Sequence, residues 1–151
     1  MTLRFRYKPF RFPLPLASLD GKFVRPRPVF SVTLIGPNGS TAQDALLDTG
    51  ADDTVFSERI AQWIGLDLTH APFGNAISLL HGSVPVYYAR VTLRIADNRE
   101  RREWVAWVGF TPTTIRFPTL GFAGFLQYFT ATFHGDREEV ELTVNGQYPG
   151  I

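Results

Sequence analysis

Residues 46–54 read Leu-Leu-Asp-Thr-Gly-Ala-Asp-Asp-Thr, and the third of them, Asp48, is suited to acid–base chemistry. The apolar residues before Asp48 predict a buried strand, and small residues follow it. Gly50 has no Cβ, so two backbones could approach each other closely at this point. The hydroxyl of Thr49 could fasten one such loop to another. Because two carboxylates at close range cannot both ionise, a pair of them would share one proton. The segment therefore predicts one half of a carboxylate pair.

A proton-sharing carboxylate pair can activate water. The ionised member takes a proton from a bound water molecule, and the protonated member donates its proton to the carbonyl oxygen under attack. This route hydrolyses a peptide bond without a covalent intermediate, a metal ion or a cofactor. The three histidines (His70, His81 and His134) have no metal-ligand spacing, and the sequence has no nucleophile-elbow motif. We therefore expect neither a metal site nor a cofactor.

The triplet Asp48–Gly50 alone is compatible with a simple turn, because Asp, Thr and Gly are ordinary turn residues. The longer run 46–55 is more specific, since it closely resembles the active-site strand and loop of retropepsin-like (retroviral-type) aspartic proteases. The resemblance implies a mainly β, single-lobe retropepsin-like (acid protease) β-barrel with one or two short helices, and aspartic-type endopeptidase activity. It implies catalytic roles for Asp48, Thr49 and Gly50, and substrate contacts for Ala51, Asp52 and Asp53. An electrostatic or capping role ahead of a helix is the alternative for the last two.

A run late in the chain, Thr119–Leu126, resembles a second family element, which packs under the active-site loop. By this resemblance, the structural motif under the site consists of Leu120 and Gly121. Phe122 stands where retroviral members often have an arginine that braces the carboxylate matching Asp52. We therefore expect Asp52 to find another partner, either Arg116 or an arginine of the N-terminal arm.

The family also has a flap, a hairpin that closes over the substrate and excludes water. Residues 79–86 lie between the two motifs, where the resemblance places the flap. The residues expected to contact substrate there are Leu80, His81, Gly82 and Ser83. The tip contains one glycine rather than the glycine-rich run of retroviral enzymes. Phe73-Gly74-Asn75 could belong to the same hairpin.

The chain contains one Asp-Thr-Gly triplet and no second copy of it. A carboxylate pair therefore requires a homodimer in which two Asp48 side chains meet on a two-fold axis. In retroviral enzymes the terminal strands of both subunits hold the dimer together, which makes Glu139–Val144 and the arm at 1–16 the candidates here. The Arg-Pro-Arg-Pro-Val stretch at 25–29 resembles stand-alone bacterial members of the family. The expected partners are a second copy of the chain and a peptide or protein substrate.

Length and composition indicate one folded domain. The chain has 151 residues, of which 44% are hydrophobic and 19% charged, and it contains no cysteine. We divide it into a basic, Pro-rich N-terminal arm (1–24), a retropepsin-like aspartic protease domain (25–144) and a C-terminal tail (145–151). No apolar run reaches the length of a membrane span, and the N-terminus lacks the apolar segment of a secretory signal. We therefore expect a cytoplasmic protein with no membrane partner.

Charge is unevenly distributed along the chain. Residues 1–30 hold seven basic side chains against one acidic one, a charge of +6, so a chain of net charge +1 carries −5 elsewhere. A basic arm with interleaved aromatic residues could bind nucleic acid. The alternation of Leu3, Phe5 and Tyr7 with basic residues favours a half-buried strand instead, so we expect no nucleic-acid partner. Such an arm could also dock on its own body or on a partner subunit.

Turn residues and periodicity predict the surrounding elements. A hairpin is expected over 29–47, with its turn at Gly36–Gly39. Ser57 is a predicted N-cap for a helix over 58–64, and Gly65 is placed to end it. Further strands are predicted at 54–56, 76–80, 84–95, 103–108, 129–134 and 139–144, with a short helical turn at 124–128. A retropepsin-fold domain that binds a peptide or protein without cutting it is the alternative function, supported by the single-glycine flap and Phe122.

Overall fold

A computed structural model describes residues 1–78 and 82–151 of the chain. The described part is mainly β, with one short α-helix (α1, Glu58–Trp63) and two 3-10 turns (Ala17–Leu19 and Leu126–Tyr128). The strands are β1 (Thr2–Arg6), β2 (Lys8–Leu16), β3 (Lys22–Arg27), β4 (Val29–Gly36), β5 (Gly39–Leu47), β6 (Val55–Ser57), β7 (Phe73–Ser78), β8 (Gly82–Ala96), β9 (Arg101–Thr111), β10 (Thr119–Leu120), β11 (Phe129–His134) and β12 (Glu139–Val144). The predicted mainly β class is confirmed.

The largest sheet closes into a barrel. Its strand order is β4-β5-β10-β6-β9-β8-β7, and β4 also pairs with β8, so six strands form a ring and β7 lies outside it. The closing contacts are short: residues 33–35 of β4 pair with residues 92–94 of β8, and β10 links β5 to β6. Alternate residues of β4, β8 and β9 point into one apolar core, as their alternating burial shows. The predicted single-lobe barrel is therefore confirmed.

The local predictions around the Asp48 segment are confirmed with small shifts. β4 and β5 pair from Val29 opposite Leu46 to Gly36 opposite Gly39, which is the predicted hairpin. The backbone N–H of Arg59 donates to Ser57 Oγ at 3.4 Å, so Ser57 caps α1. The helix ends at Trp63, one residue earlier than predicted, and Gly65 follows with φ +81°. This left-handed conformation is the one that favours glycine after a helix.

The N-terminal strand belongs to the folded body. β1, β12 and β11 form a three-stranded antiparallel sheet in which β12 is central. Leu3 is fully buried in the main core with Val140 and Leu142, because alternate residues of these strands face inward. Both edges of β12 are paired within the chain, so Glu139–Val144 has no free edge for a strand of a second subunit. Its expected part in holding a dimer together stays a prediction. The free edges of this sheet belong to β1 and β11.

The remaining terminal segments differ in how they contact the body. β2 and β3 pair only with each other and form a separate two-stranded hairpin. At the other end of the chain, the N–H of Ile151 donates to Glu103 O and its carbonyl accepts from Glu103 N, both at 3.0 Å. The ring of Tyr148 packs on Trp104, which anchors the C-terminal segment to β9. The proposed domain boundaries at 24 and 144 stay a prediction.

Replacing Leu3 by alanine tests whether β1 is part of the core. The substitution leaves a cavity under the three-stranded sheet, so it should lower the free energy of unfolding by about 2–5 kcal/mol. Val105, 44% exposed on β9, is the matched control, and its alanine variant should lose much less. Chemical denaturation measures both. Equal, small losses for the two variants would contradict a structural role for β1.

Candidate active site

Asp48 lies where three strands of the barrel meet. β10 is inserted between β5 and β6, parallel to β5 (Leu120 opposite Leu47) and antiparallel to β6. The chain leaves β5 at Asp48, passes around the inserted strand and returns as β6. The N–H of Asp48 donates to Leu120 O at 3.1 Å, which fixes the backbone of the aspartate to the inserted strand. Leu120 itself is fully buried beneath this point.

The triplet forms a tight turn at the molecular surface. The N–H of Gly50 donates to Asp48 Oδ1 at 2.9 Å, and the N–H of Ala51 donates to Asp48 O at 3.2 Å. Asp48 is half-buried, whereas Thr49 and Gly50 are exposed. A Cβ on Gly50 would lie 3.3 Å from Asp48 Oδ1, so glycine allows the carboxylate to fold close over the turn. One carboxylate oxygen of Asp48 is therefore fixed by the N–H of Gly50, and the turn faces solvent.

Thr54 ties residues 48–54, here termed the catalytic loop because they contain the predicted catalytic residues, to the run that begins with the inserted strand. Its side chain is almost fully buried, and Oγ1 donates to Ala123 O at 2.9 Å. The same oxygen accepts from the N–H of Gly121 at 3.3 Å. No separate role was predicted for Thr54. Its position could have indicated one, because Thr54 stands between a polar loop and a buried strand. A hydroxyl that is buried there must find hydrogen-bond partners.

Gly121 touches the catalytic loop from below. A Cβ at this position would lie 2.3 Å from Asp53 O and 2.7 Å from Ala51 O, so a larger residue would displace the loop. The next two N–H groups continue the contact, because Phe122 donates to Ala51 O and Ala123 donates to Asp52 O, each at 2.9 Å. The structure therefore places Leu120 and Gly121 directly beneath the predicted catalytic turn. The side chain of Phe122 is 62% exposed.

The two aspartates after the triplet have different surroundings. Asp53 accepts a hydrogen bond from the hydroxyl of Tyr88, on β8, at 2.7 Å. Burial of the phenol raises the pKa of Tyr88 to about 12, and the bond to Asp53 and the charge of that carboxylate add to the shift. Asp52 is exposed and forms no ion pair within residues 1–78 and 82–151. The expected pairing of Asp52 with Arg116 or an arm arginine is therefore wrong within the described chain.

The Arg116 guanidinium stacks on aromatic rings instead. Its carbon lies 5.9 Å from the Phe12 ring centre and 5.5 Å from that of Phe117. The faces of the guanidinium pack against these rings, but no carboxylate neutralises its charge within the described residues. The hydrogen bond from Tyr88 to Asp53 was not predicted either, because nothing in an alternating strand distinguishes one half-buried tyrosine from the next.

The hairpin of β7 and β8 stands beside the catalytic loop. Phe73, Gly74 and Asn75 lie in β7, so the expectation that they belong to this hairpin is confirmed. Gly82 and Ser83 begin β8 and are exposed, and Gly82 has φ +66°. The other two predicted flap residues, Leu80 and His81, lie outside the described residues. A small apolar cluster joins the hairpin to the end of the catalytic loop; it contains Val55, Val84, Val86, Ala76 and Tyr88.

Comparison with known proteins identifies the class of protein that this fold and loop define. A model of the family described as aspartyl protease matches residues 31–110, more than half of the chain. The chain therefore belongs to the aspartyl protease family. A search of curated proteins finds no match.

Two solved structures align with this chain, and the first of them supports the fold. The crystal structure of a retropepsin-like aspartic protease from Rickettsia conorii aligns with a TM-score of 0.56 at 18% identity, covering 94% of this chain and 91% of that one. The EIAV protease complexed with the inhibitor HBY-793 aligns with a TM-score of 0.42 at 24% identity, covering 63% of this chain and 81% of that one. The family match and the first of these structures confirm the predicted resemblance to retropepsin-like proteases.

Two further properties concern ligands and membranes. Within 1–78 and 82–151, no group of three or more His, Asp or Glu side chains is arranged to hold a metal ion. Among the helices of the same residues, none is long and apolar enough to span a bilayer.

Replacing Tyr88 by phenylalanine tests the contact between β8 and the catalytic loop. Loss of the hydrogen bond to Asp53 should lower the free energy of unfolding by about 1 kcal/mol at neutral pH. Because the pKa of Tyr88 is raised, its contribution is complete below the ordinary value of 10 and is lost as the pH rises through about 12. The difference between wild type and variant should therefore shrink over that interval.

Denaturant unfolding at a series of pH values measures this difference. Tyr87→Phe is the matched control, since Tyr87 packs its ring against Phe73 on the same hairpin. A constant difference between wild type and Tyr88→Phe across the alkaline interval would contradict the assigned hydrogen bond.

Proposed function

We propose that this protein is an aspartic endopeptidase whose active site forms between two copies of the chain. The observation that supports this most strongly is the placement of Asp48 on a surface turn supported from below by Leu120 and Gly121. A buried aspartate could not meet a symmetry-related copy, whereas the exposed Thr49 and Gly50 leave room for a second loop. One chain supplies one such turn, so two chains would complete the pair.

In the proposed dimer, the two Asp48 carboxylates share one proton near the two-fold axis. Each carboxylate disfavours ionisation of the other, so the pair titrates as a unit. The ionised member accepts a proton from water, which attacks the scissile carbonyl, and the protonated member donates to the carbonyl oxygen. The roles reverse when the tetrahedral intermediate collapses and the amine leaves. The Thr49 hydroxyl would brace each loop against the other.

The substrate in this proposal is an extended peptide bound between the catalytic loop and the β7–β8 hairpin. β7 is the outer strand of its sheet, so its free backbone groups can pair with an extended segment. The hairpin would act as a flap, with Gly82 and Ser83 near the substrate. On the opposite side, Ala51, Asp52 and Asp53 would contact the peptide backbone and neighbouring side chains. The bond from Tyr88 leaves Asp53 with one oxygen not used by that contact.

A retropepsin-fold domain that binds peptides without cutting them is the second candidate. The exposed ring of Phe122 favours it, because an apolar side chain beside the catalytic loop can serve as a binding contact. The two functions differ in one observable: only the protease consumes its peptide. Binding of a peptide library without turnover would favour the second candidate.

Peptide cleavage by wild type and Asp48→Asn, measured side by side from acidic to neutral pH, tests the proposal. General acid–base catalysis contributes roughly a hundredfold or more, so the variant should lose at least about 100-fold in kcat/KM. Asp136→Asn is the matched control, because Asp136 is an exposed aspartate in a turn remote in sequence from the site. It should cleave as wild type does. Unchanged cleavage by Asp48→Asn would contradict the mechanism.

A further inference from the structure

The hairpin Lys8–Arg27, here termed the arm hairpin, is not integrated into either larger sheet. β2 and β3 pair with each other from Lys8 opposite Arg27 to Arg11 opposite Val24, and the pairing shifts before Leu16 meets Lys22. Neither strand joins the barrel or the three-stranded sheet. A two-stranded hairpin is marginally stable by itself in water. Something other than its own ladder is therefore needed to hold it in one conformation.

The base of the arm hairpin is anchored close to the catalytic turn. Lys8 forms an ion pair with Asp44 on β5, and Phe10 meets Phe117 edge-on with ring centres 5.2 Å apart. The chain then passes from β3 into Pro28, whose carbonyl accepts from the N–H of Leu47 at 2.9 Å. Leu47 immediately precedes Asp48. The arm hairpin is thus rooted next to the face where a second catalytic loop would have to arrive.

The outer part of the arm hairpin exposes apolar side chains. Leu14 is 73% exposed and Phe23 is 41% exposed, although both are large and apolar. The Arg11 guanidinium lies over the Phe23 ring, with its carbon 5.7 Å from the ring centre. A partner that covered these two side chains would remove their apolar surface from water, which favours association.

The charge of the arm hairpin indicates what kind of surface would cover it. It contains five basic side chains and Asp20, a charge of +4, so the rest of this +1 chain carries −3. Three arginines at its base, Arg25, Arg27 and Arg116, have no carboxylate partner within residues 1–78 and 82–151. Burial, and then the charges of Arg116 and Arg25, lower the pKa of Arg27. The complementary surface is acidic.

We propose that the arm hairpin crosses to a second copy of this chain and packs on its acidic body. The inference rests on the homodimer of the proposed function, since the Asp48 site is incomplete without that second copy. A two-fold axis would exchange two arms, so each catalytic turn would be flanked by its own arm and by the partner's. Covering Leu14 and Phe23 would add apolar contact to the charge attraction.

The test is the double variant Leu14→Asp/Phe23→Asp, examined by sedimentation velocity over a wide concentration range. Aspartates at the centre of an apolar contact should raise the dimer dissociation constant by about 100-fold or more. Trp63→Asp is the matched control, because Trp63 is a large apolar residue, 62% exposed, on α1. The control should dimerise as wild type does. Circular dichroism should show the same strand content in all three proteins.

A second variant, Lys22→Glu/Arg25→Glu, reverses two charges and substitutes no apolar residue. It should weaken the dimer as well, and more strongly at low salt, because the proposed attraction is electrostatic. The proposal is overturned if both double variants dimerise like wild type. It is also overturned if they lose binding to a single-stranded oligonucleotide while the dimer is unchanged.

The experiment distinguishes failure of the arm-hairpin proposal from failure of the proposed function. If both double variants stay dimeric and cleave peptides as wild type does, the arm proposal is wrong and the protease function stands. If wild type is monomeric at every concentration and cleaves nothing, both are wrong. The arm proposal is supported when cleavage by the variants is lost at low protein concentration and recovered at high concentration.

Discussion

The insertion of β10 between β5 and β6 is the constraint on which the rest of the site depends. The two strands that flank the catalytic loop cannot pair with each other, so the loop must pass around a third strand. Several of its hydrogen bonds are made to that inserted segment, through Asp48, Thr54 and the carbonyl of Ala51. A surface turn that would otherwise be mobile is thereby held in one shape, as a carboxylate pair requires. Gly121 is needed because there is no space for a Cβ under the loop.

The same loop is connected to the hairpin that would cover a substrate. β8 is 15 residues long and pairs with β7 at one end and with β4 and β9 along the barrel. Tyr88 projects from this strand to Asp53, and Val55 packs against Val84 and Val86. One continuous strand therefore contacts both sides of the proposed substrate cleft. A movement of the hairpin would therefore displace the catalytic loop through these few contacts.

Local sequence patterns predicted the local structure well. Alternation and turn residues gave the β4–β5 hairpin, and the Ser57 cap and Gly65 gave α1 within one residue of its observed end. The contacts that were missed join residues distant in the chain. Leu3 enters the core because β1 pairs with residues 139–143, and Tyr88 reaches Asp53 across 35 positions. Periodicity reports which face of a strand is buried but not which strand lies beside it. For Asp52 we expected Arg116 or an arm arginine as a partner, and the Arg116 guanidinium stacks on the Phe12 and Phe117 rings instead.

The central claim is that two Asp48 carboxylates, one from each copy, form a single active site. Mixing wild type with Asp48→Asn at constant total concentration, with time for subunit exchange, tests it most directly. If both carboxylates are required, hybrids are inactive, and an equimolar mixture should retain about a quarter of the wild-type activity. Retention of about half, falling linearly with the wild-type fraction, would show that each chain works alone and would contradict the shared site.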